Sequence, residues 1–296
     1  MRVVMTGGSK GIGLVAAQQL LAQPGVQLLL GVNQSPAPAG AKTLPLKLDS
    51  LTDTRRFAAD VVAWLAGARI DALLLNAGGQ RPDVVGKSAD GHELTFAINH
   101  LAPYLLVRLL LPHMAPGGAI IITASGTHDP AEKTGLPPPY HAHAAWLADP
   151  AADPQRDARP LTAGLRAYCA SKLCNVLTVR QLAALPAVQA AGIRVMAYDP
   201  GLTPGTGLAQ RQHWAVRTLV WPLLPLLVPF GRHMNHLADS GGALAALATT
   251  APPPGRVYAA LRKGRLNWPD PSELARDDAV AAQLWADSAR LCGLPD

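Results

Sequence analysis

Residues 2 to 22 read as strand, glycine turn and helix in immediate succession. Arg2-Val3-Val4-Met5-Thr6 is a short apolar and β-branched run, Gly7-Gly8-Ser9-Lys10-Gly11-Ile12-Gly13 follows it directly, and Leu14 to Ala22 has the pattern of a helix. The glycines fall as G-G-x-x-G-x-G, a longer turn than G-x-G-x-x-G, and they let backbone N–H groups approach a pyrophosphate at the positive end of the helix dipole. The competing reading is a flexible turn. Further strand-like runs, Val26 to Val32, Leu44 to Leu48, Ile70 to Leu75, Ala119 to Ala124 and Ile193 to Tyr198, alternate with helical stretches. That alternation predicts an α/β fold: a Rossmann-like, doubly wound parallel sheet in a three-layer αβα sandwich. No internal repeat or low-complexity boundary divides the 296 residues, so a single domain over 1–296 is expected, with an insertion at about 126–165 and an apolar lid at about 204–237.

Composition narrows the function. About half the residues (49%) are apolar, enough for a sizeable core, and the net charge of +6 is scattered without a lysine run, which argues against nucleic acid and for mild attraction of anions. Cys169, Cys174 and Cys292 make no C-x-x-C pair, which points to a reducing compartment and no structural metal. Met1 runs straight into strand-like sequence with no secretory pattern, and a cytoplasmic location is the expectation.

Several residues stand where ligands of an open parallel sheet collect. The second strand ends at Asn33 with no acidic residue to take a ribose 2′-hydroxyl, which disfavours NAD; Lys10, inside the glycine turn, either meets a 2′-phosphate or is solvated. NADP(H) is therefore the expected cofactor and NAD(H) the alternative. Asp49, followed by Ser50, either accepts from an adenine amino group or caps the helix beginning near Thr52. Asn76-Ala77-Gly78-Gly79 closes the fourth strand with small residues that admit a ribose to the backbone. Asn99 lies in a mostly apolar helix, Leu94 to Leu111, as a brace or part of a proton path. Ser125 stands at a strand end, as a ligand for a substrate oxygen or a turn residue. Tyr168-Cys169-Ala170-Ser171-Lys172 places a phenol and an ammonium four residues apart on one helical face, where the charge would lower the tyrosine's pKa toward general acid and base work; the alternative is a solvated helix face. Asp199-Pro200-Gly201-Leu202-Thr203 follows the last of these strands, with Thr203 a candidate for the nicotinamide amide or the pyrophosphate. His128, His141, His143 and Trp146, in the proline-rich interval before Tyr168, read as surface or substrate-pocket residues and not a metal site. Residues 208–237, with Trp214, Trp221 and Phe230 among several prolines, suit a lid over a lipophilic substrate or a weak membrane-surface patch; ordinary core or dimer contact is the plain alternative. Asp270-Pro271-Ser272-Glu273 predicts the start of a terminal helix reaching about Leu291.

Taken in order, Thr6 to Gly13, Asp49, Asn76-Ala77-Gly78, Asn99, Ser125, Tyr168-x-x-x-Lys172 and Pro200-Gly201 resemble the short-chain dehydrogenase/reductase family over nearly the whole chain. Asn99 to Leu106, Ala167 to Asn175 and the tail from Pro271 to Asp277 are similar to the branch of retinol dehydrogenases and light-dependent protochlorophyllide reductases; a departure is the missing arginine that this branch often carries near Asn33. The resemblance implies that Tyr168 exchanges a proton with a carbonyl or alcohol oxygen, that Ser125 hydrogen-bonds that oxygen, that Lys172 depresses the Tyr168 pKa and holds the nicotinamide ribose, and that Asn99 anchors a water leading to solvent. Cofactor contacts would come from Gly7, Ser9, Lys10, Gly11, Ile12, Gly13, Asn33, Asp49, Ser50, Asn76, Ala77, Gly78, Tyr168, Lys172, Pro200, Gly201 and Thr203. It also implies a homodimer or homotetramer built through the helices around Asn99 and Tyr168. Two other functions remain open: reduction of a conjugated carbon–carbon double bond, and a sensor that binds the dinucleotide without turnover.

Overall fold

The structure is a computed structural model and describes residues 1–204 and 234–295. The apolar lid expected at 204–237 lies outside the described residues except at its two ends. Eight strands form one sheet in the order β3-β2-β1-β4-β5-β6-β7-β8, with β1 Arg2–Thr6, β2 Gln27–Val32, β3 Lys42–Pro45, β4 Ile70–Leu75, β5 Met114–Thr123, β6 Arg194–Asp199, β7 Tyr258–Arg262 and β8 Arg265–Asn267. All neighbours are parallel except β7 and β8. The order reverses between β1 and β4, and ligands of such sheets bind at that switch point, outside the carboxyl ends of the strands. Strands β1 and β4 are almost wholly buried, as a central parallel strand covered on both faces must be.

Two apolar clusters, one on each face, make the three layers. Helix α1 (Gly11–Leu21) and α8 (Leu237–Leu247) pack with Val3, Met5 and Leu30 on one face. On the other, Val4, Leu73 and Ile120 meet α2 (Leu51–Leu65), α4 (Ala102–Leu110) and α6 (Pro160–Ala184). The predicted helix over 94–111 is one rod with an interruption: α3 (Leu94–Phe96), a π-helical turn Ala97–Leu101, then α4. By length and composition Leu94–His113 could cross a membrane, but 72% of its apolar window is buried inside the protein, and it is a core helix. The insertion before Tyr168 carries short turns and α5 (Ala144–Ala148), and α7 (Pro186–Ala190) follows α6.

Two expectations need correction. The terminal helix, α9 (Asp278–Leu291), starts later than predicted: Asp277 caps it by accepting from the N–H groups of Ala279 and Val280. Asp270 is instead paired with Arg256, and Ser272 gives its N–H to His128. Ser50, not Asp49, caps α2, accepting from the Asp53 N–H at 3.1 Å. The centres of the two long helices are covered by their own chain. Every residue from Asn99 to Val107 and from Tyr168 to Val179 is buried within one chain, and α9 supplies part of the cover: His100 Nε2 meets Ser288 Oγ at 2.8 Å, and the Tyr104 hydroxyl donates to Trp285 O at 2.8 Å.

Candidate active site

The amino end of α1 is built to receive an anion. Its N-cap, Lys10, is extended and offers no side-chain hydrogen bond, so the first N–H groups of the helix keep their donors for a ligand. Gly7, in the left-handed region at φ 72°, and Gly13 let the turn close on itself: a Cβ on Gly13 would stand 1.8 Å from Gly7 O. The Asn76 side chain ties this turn to the neighbouring strands, donating to Gly7 O at 3.1 Å and accepting from the Thr123 hydroxyl at 3.1 Å, while Ala77 N–H donates to Thr6 Oγ1 at 3.2 Å. Ser9 and Ile12 are partly exposed in the turn, and Gly78 lies exposed on its far rim. A glycine-rich cradle at an uncapped helix fits a pyrophosphate. Around it, Lys10, Asn33 and Asp49 are exposed, Asn33 one residue past the end of β2. Ser50 is committed to its cap, and Thr203 is buried with its hydroxyl 2.8 Å from Ser240 Oγ, beside Pro200 and Gly201.

The second half of the site is the inner stripe of α6. At about 100° per residue, positions 168, 172 and 175 fall on one side of the helix, and the structure turns that side to the ends of β5 and β6. Lys172 Nζ donates to Thr123 O at 2.9 Å, and Asn175 Nδ2 reaches both Thr123 O (3.1 Å) and Asn99 O (3.0 Å). The Asn99 carbonyl belongs to the π turn, and π-helical turns recur at functional sites. The Asn99 side chain grips Gly79 with both ends, accepting from its N–H at 2.9 Å and donating to its carbonyl at 2.8 Å, and it also donates to Ser171 Oγ at 3.0 Å. The Asn99 side chain is thus a brace between β4 and α6, and Asn175 takes up the Asn99 backbone carbonyl. Asn175 was missed as a site residue, although the 168, 172, 175 stripe could have flagged it.

Ser125, partly exposed just past β5, accepts from Thr127 N–H at 3.3 Å, and a side-chain hydrogen bond joins it to Tyr168. The Lys172 ammonium is 5.7 Å from the Tyr168 ring centroid. Tyr168 and Lys172 are both buried, and burial governs their protonation. It pushes the Tyr168 phenol well above the usual tyrosine range, helped by Cys169 and Asp199 and opposed by the Ser125 bond. It pulls Lys172 down to about 8, against the field of Asp199. The expected depression of the Tyr168 pKa is therefore reversed here: desolvation of the phenolate outweighs the distant ammonium.

The histidines separate. His128 is buried beside Ser125, its Nδ1 2.7 Å from Ser125 O. His141 and Trp146 line a cavity of about 400 Å³ together with Phe96, Tyr140, Ala167 and Ala170. Ala163, Ala167 and Ala170 lie about half a turn round α6 from Tyr168 and Lys172, so this cavity opens on the opposite side of the helix. Among the described residues no group of histidines, cysteines and acids could hold a metal ion.

A nucleotide cradle at the switch point of a doubly wound sheet, facing a serine at the end of β5 and a tyrosine and a lysine on the inner stripe of α6, is the plan of a dinucleotide-dependent oxidoreductase. Residues 1–136 match the short chain dehydrogenase family. The chain is 30% identical over 312 residues to human retinol dehydrogenase 13, covering 99% of this chain and 84% of that one. It is 29% identical over 322 residues to the chloroplastic protochlorophyllide reductase of Chlamydomonas reinhardtii, covering 98% and 77%. In fold it is similar to an uncharacterized protein from Mycobacterium Paratuberculosis (TM-score 0.64, 24% identity, 99% of this chain and 93% of that) and to NADPH-bound carbonyl reductase from chicken fatty liver (TM-score 0.57, 18% identity, 84% and 86%). The chain belongs to the short-chain dehydrogenase/reductase family of oxidoreductases.

Proposed function

We propose that the protein transfers hydride between NADP(H) and the carbonyl or alcohol carbon of a small, lipophilic molecule, with Tyr168 as general acid and base. The observation that carries this reading is the convergence of Ser125, Tyr168 and Lys172 where the cradle of Gly7 to Gly13 meets the ends of β4 and β5. The bound nicotinamide would supply or accept the hydride. Uncapped N–H groups of α1 hold the pyrophosphate, Asp49 receives the adenine amino group, and Lys10 with Asn33 meets the 2′-phosphate. No carboxylate stands at the end of β2 to repel that phosphate, and the solved chicken carbonyl reductase of similar fold holds NADPH. Ser125 holds the substrate oxygen and Tyr168 gives it a proton; the raised pKa keeps the phenol protonated at neutral pH, which suits reduction. Lys172 stabilises the phenolate as it forms, and Asn99 with Asn175 fixes the lysine's surroundings. Lipophilicity of the substrate rests on the tryptophan- and leucine-rich sequence 208–237.

The test is titration of the protein with NADPH and NADH, then a panel of aldehydes, ketones and lipophilic alcohols followed at the nicotinamide absorbance. Tyr168→Phe should lose about a hundredfold or more of the turnover while binding NADPH normally. Full activity in that variant would overturn the assignment of the acid, and tight NADPH binding without turnover on any compound would favour a sensor. The similarity to protochlorophyllide reductases supports a second reading, reduction of a conjugated carbon–carbon double bond. Light-dependent turnover of a porphyrin substrate would select it.

A further inference from the structure

The sheet ends next to Ser125 and Lys172 carry an ion cluster around a buried carboxylate that the chemistry above does not use. Asp199, the last residue of β6, is 1% exposed and fully engaged: Oδ1 accepts from Gly201 N–H at 2.9 Å, and Oδ2 accepts from the Tyr258 hydroxyl at 3.1 Å and lies 2.8 Å from Arg262 Nη1. Arg262, at the end of β7, sends its other terminal nitrogen to Glu132 Oε1 at 3.0 Å. Glu132 belongs to the short turn Pro130–Glu132 that follows Ser125 and the turn Gly126–His128. One guanidinium therefore ties the Ser125 segment to the ends of β6 and β7.

The fit is close at Gly126, directly after Ser125. A Cβ there would stand 3.0 Å from Asp199 Oδ2 and 3.3 Å from Arg262 Nη2, so the serine turn rests against the ion pair itself. His128 reinforces it from the other side. Its Nδ1 donates to Ser125 O at 2.7 Å, its Nε2 accepts from Ser272 N–H at 3.3 Å, and its ring meets the edge of Tyr258. The cluster also faces the catalytic pair electrostatically. The Asp199 carboxylate favours the charged form of Lys172 and disfavours the phenolate of Tyr168. The charged or titratable groups acting on that pair are Asp199 on β6 and Cys169 on α6, and around the Asp199 carboxylate lie Tyr258 and Arg262 on β7 with Glu132 and His128 in the turns after β5.

We propose that Arg262 is a positioning residue for Ser125, Tyr168 and Lys172: it clamps the serine turn through Glu132 and neutralises the buried charge of Asp199, which would otherwise act unopposed on the tyrosine and lysine. The proposal rests on the catalytic roles assigned above. Arginine suits the task because two of its nitrogens reach two carboxylates on different segments, a geometry lysine cannot copy.

Two readouts test it. Lys172 ionisation is followed by NMR of the lysine side chains, its signal identified by its loss in Lys172→Met; this needs no turnover. Arg262→Met should raise the Lys172 pKa by about one unit or more, Asp199→Asn should lower it comparably, and the double variant should return it near the wild-type value. Arg262→Lys keeps the charge and loses the bridge, so Lys172 should titrate as in wild type while kcat falls about tenfold with the KM for NADPH little changed. Should Arg262→Met fail to fold, Arg262→Lys and the double variant still decide. Folded variants with unchanged Lys172 titration and turnover within about twofold of wild type would overturn the clamp. A wild-type protein without turnover on any substrate would count against the proposed function alone, because the Lys172 shifts would still support or refute the clamp.

Discussion

Lys172 and Tyr168 are both buried on one face of α6, and each is pushed toward its neutral form, the lysine to a pKa of about 8 and the tyrosine above its usual range. With the neutral phenol as the proposed proton donor in the reducing direction, activity should be flat through neutral pH. It should fall as pH rises through about 8, where Lys172 loses the charge that stabilises the nascent phenolate. A reduction rate that keeps rising above that pH would sink the assignment. The same shift affects stability. Between about 8 and the usual 10.5 the unfolded chain holds more protons on this lysine than the folded one, so its contribution to stability grows as pH rises through that window. At pH 7 the buried ammonium costs on the order of 3 kcal/mol, at about 1.4 kcal/mol per unit. Lys172→Met should therefore raise the Tm of the cofactor-free protein at pH 7 while reducing turnover by about a hundredfold or more, the trade expected where a site stores strain for its function. Calorimetry with a matched activity assay checks both halves, and a lower Tm would contradict the sign.

At the scale of elements, the contact between the π turn Ala97–Leu101 and α9 turns on His100, which is fully buried, bonded to Ser288 and held at a pKa of about 4 by desolvation. The unfolded chain takes up this proton below about 6.5, so stability should drop as pH falls from about 6.5 to 4, by roughly 3 kcal/mol in all. His100→Asn should flatten that part of the stability profile in urea unfolding; an unchanged acid slope would assign it to other groups. Much of what positions the site was legible because it is local. The glycine turn, the strand ends at Asn76 and Ser125, and the Tyr168 and Lys172 spacing are all periodicities within a few residues, and the structure brings them to one end of the sheet. What was not legible depends on partners far away in the chain. Nothing near Ser288 announces His100, 188 residues earlier, and nothing near Asp199 announces Arg262. Strands β7 and β8 were missed because both are short and follow a proline run; they form by pairing with β6 and with each other. The start of α9 was misplaced because Asp270-Pro271-Ser272-Glu273 has cap chemistry that is spent instead on Arg256, His128 and a short turn. The tyrosine's pKa was misjudged for the same reason: helical spacing shows the ammonium, but burial is a property of the whole fold.

For the whole molecule, the question is which surface is left for a second copy. A helix offers an interface only if one stripe stays uncovered, yet the central residues of both long helices are buried all round by their own chain. On α9, Leu284 and Ala281 are buried against this face, and Arg180 on α6 reaches Ala275 O and Asp278 to fasten it. The sheet edges are guarded as well. On one side β3 presents exposed Lys42 and Pro45; on the other, β8 is three residues long with Arg265 and Asn267 exposed. Charge, proline and brevity are the features that keep edge strands from pairing with another chain. Multi-angle light scattering should accordingly give the mass of one chain over a wide range of concentration. A dimer or tetramer would mean that some other surface associates, and Leu284→Asp then separates the cases. If α9 is the cover, this substitution costs several kcal/mol and uncovers the apolar face around Tyr104, so soluble protein gives way to higher association states. If association uses another surface, the variant loses stability while its oligomeric mass stays as it was.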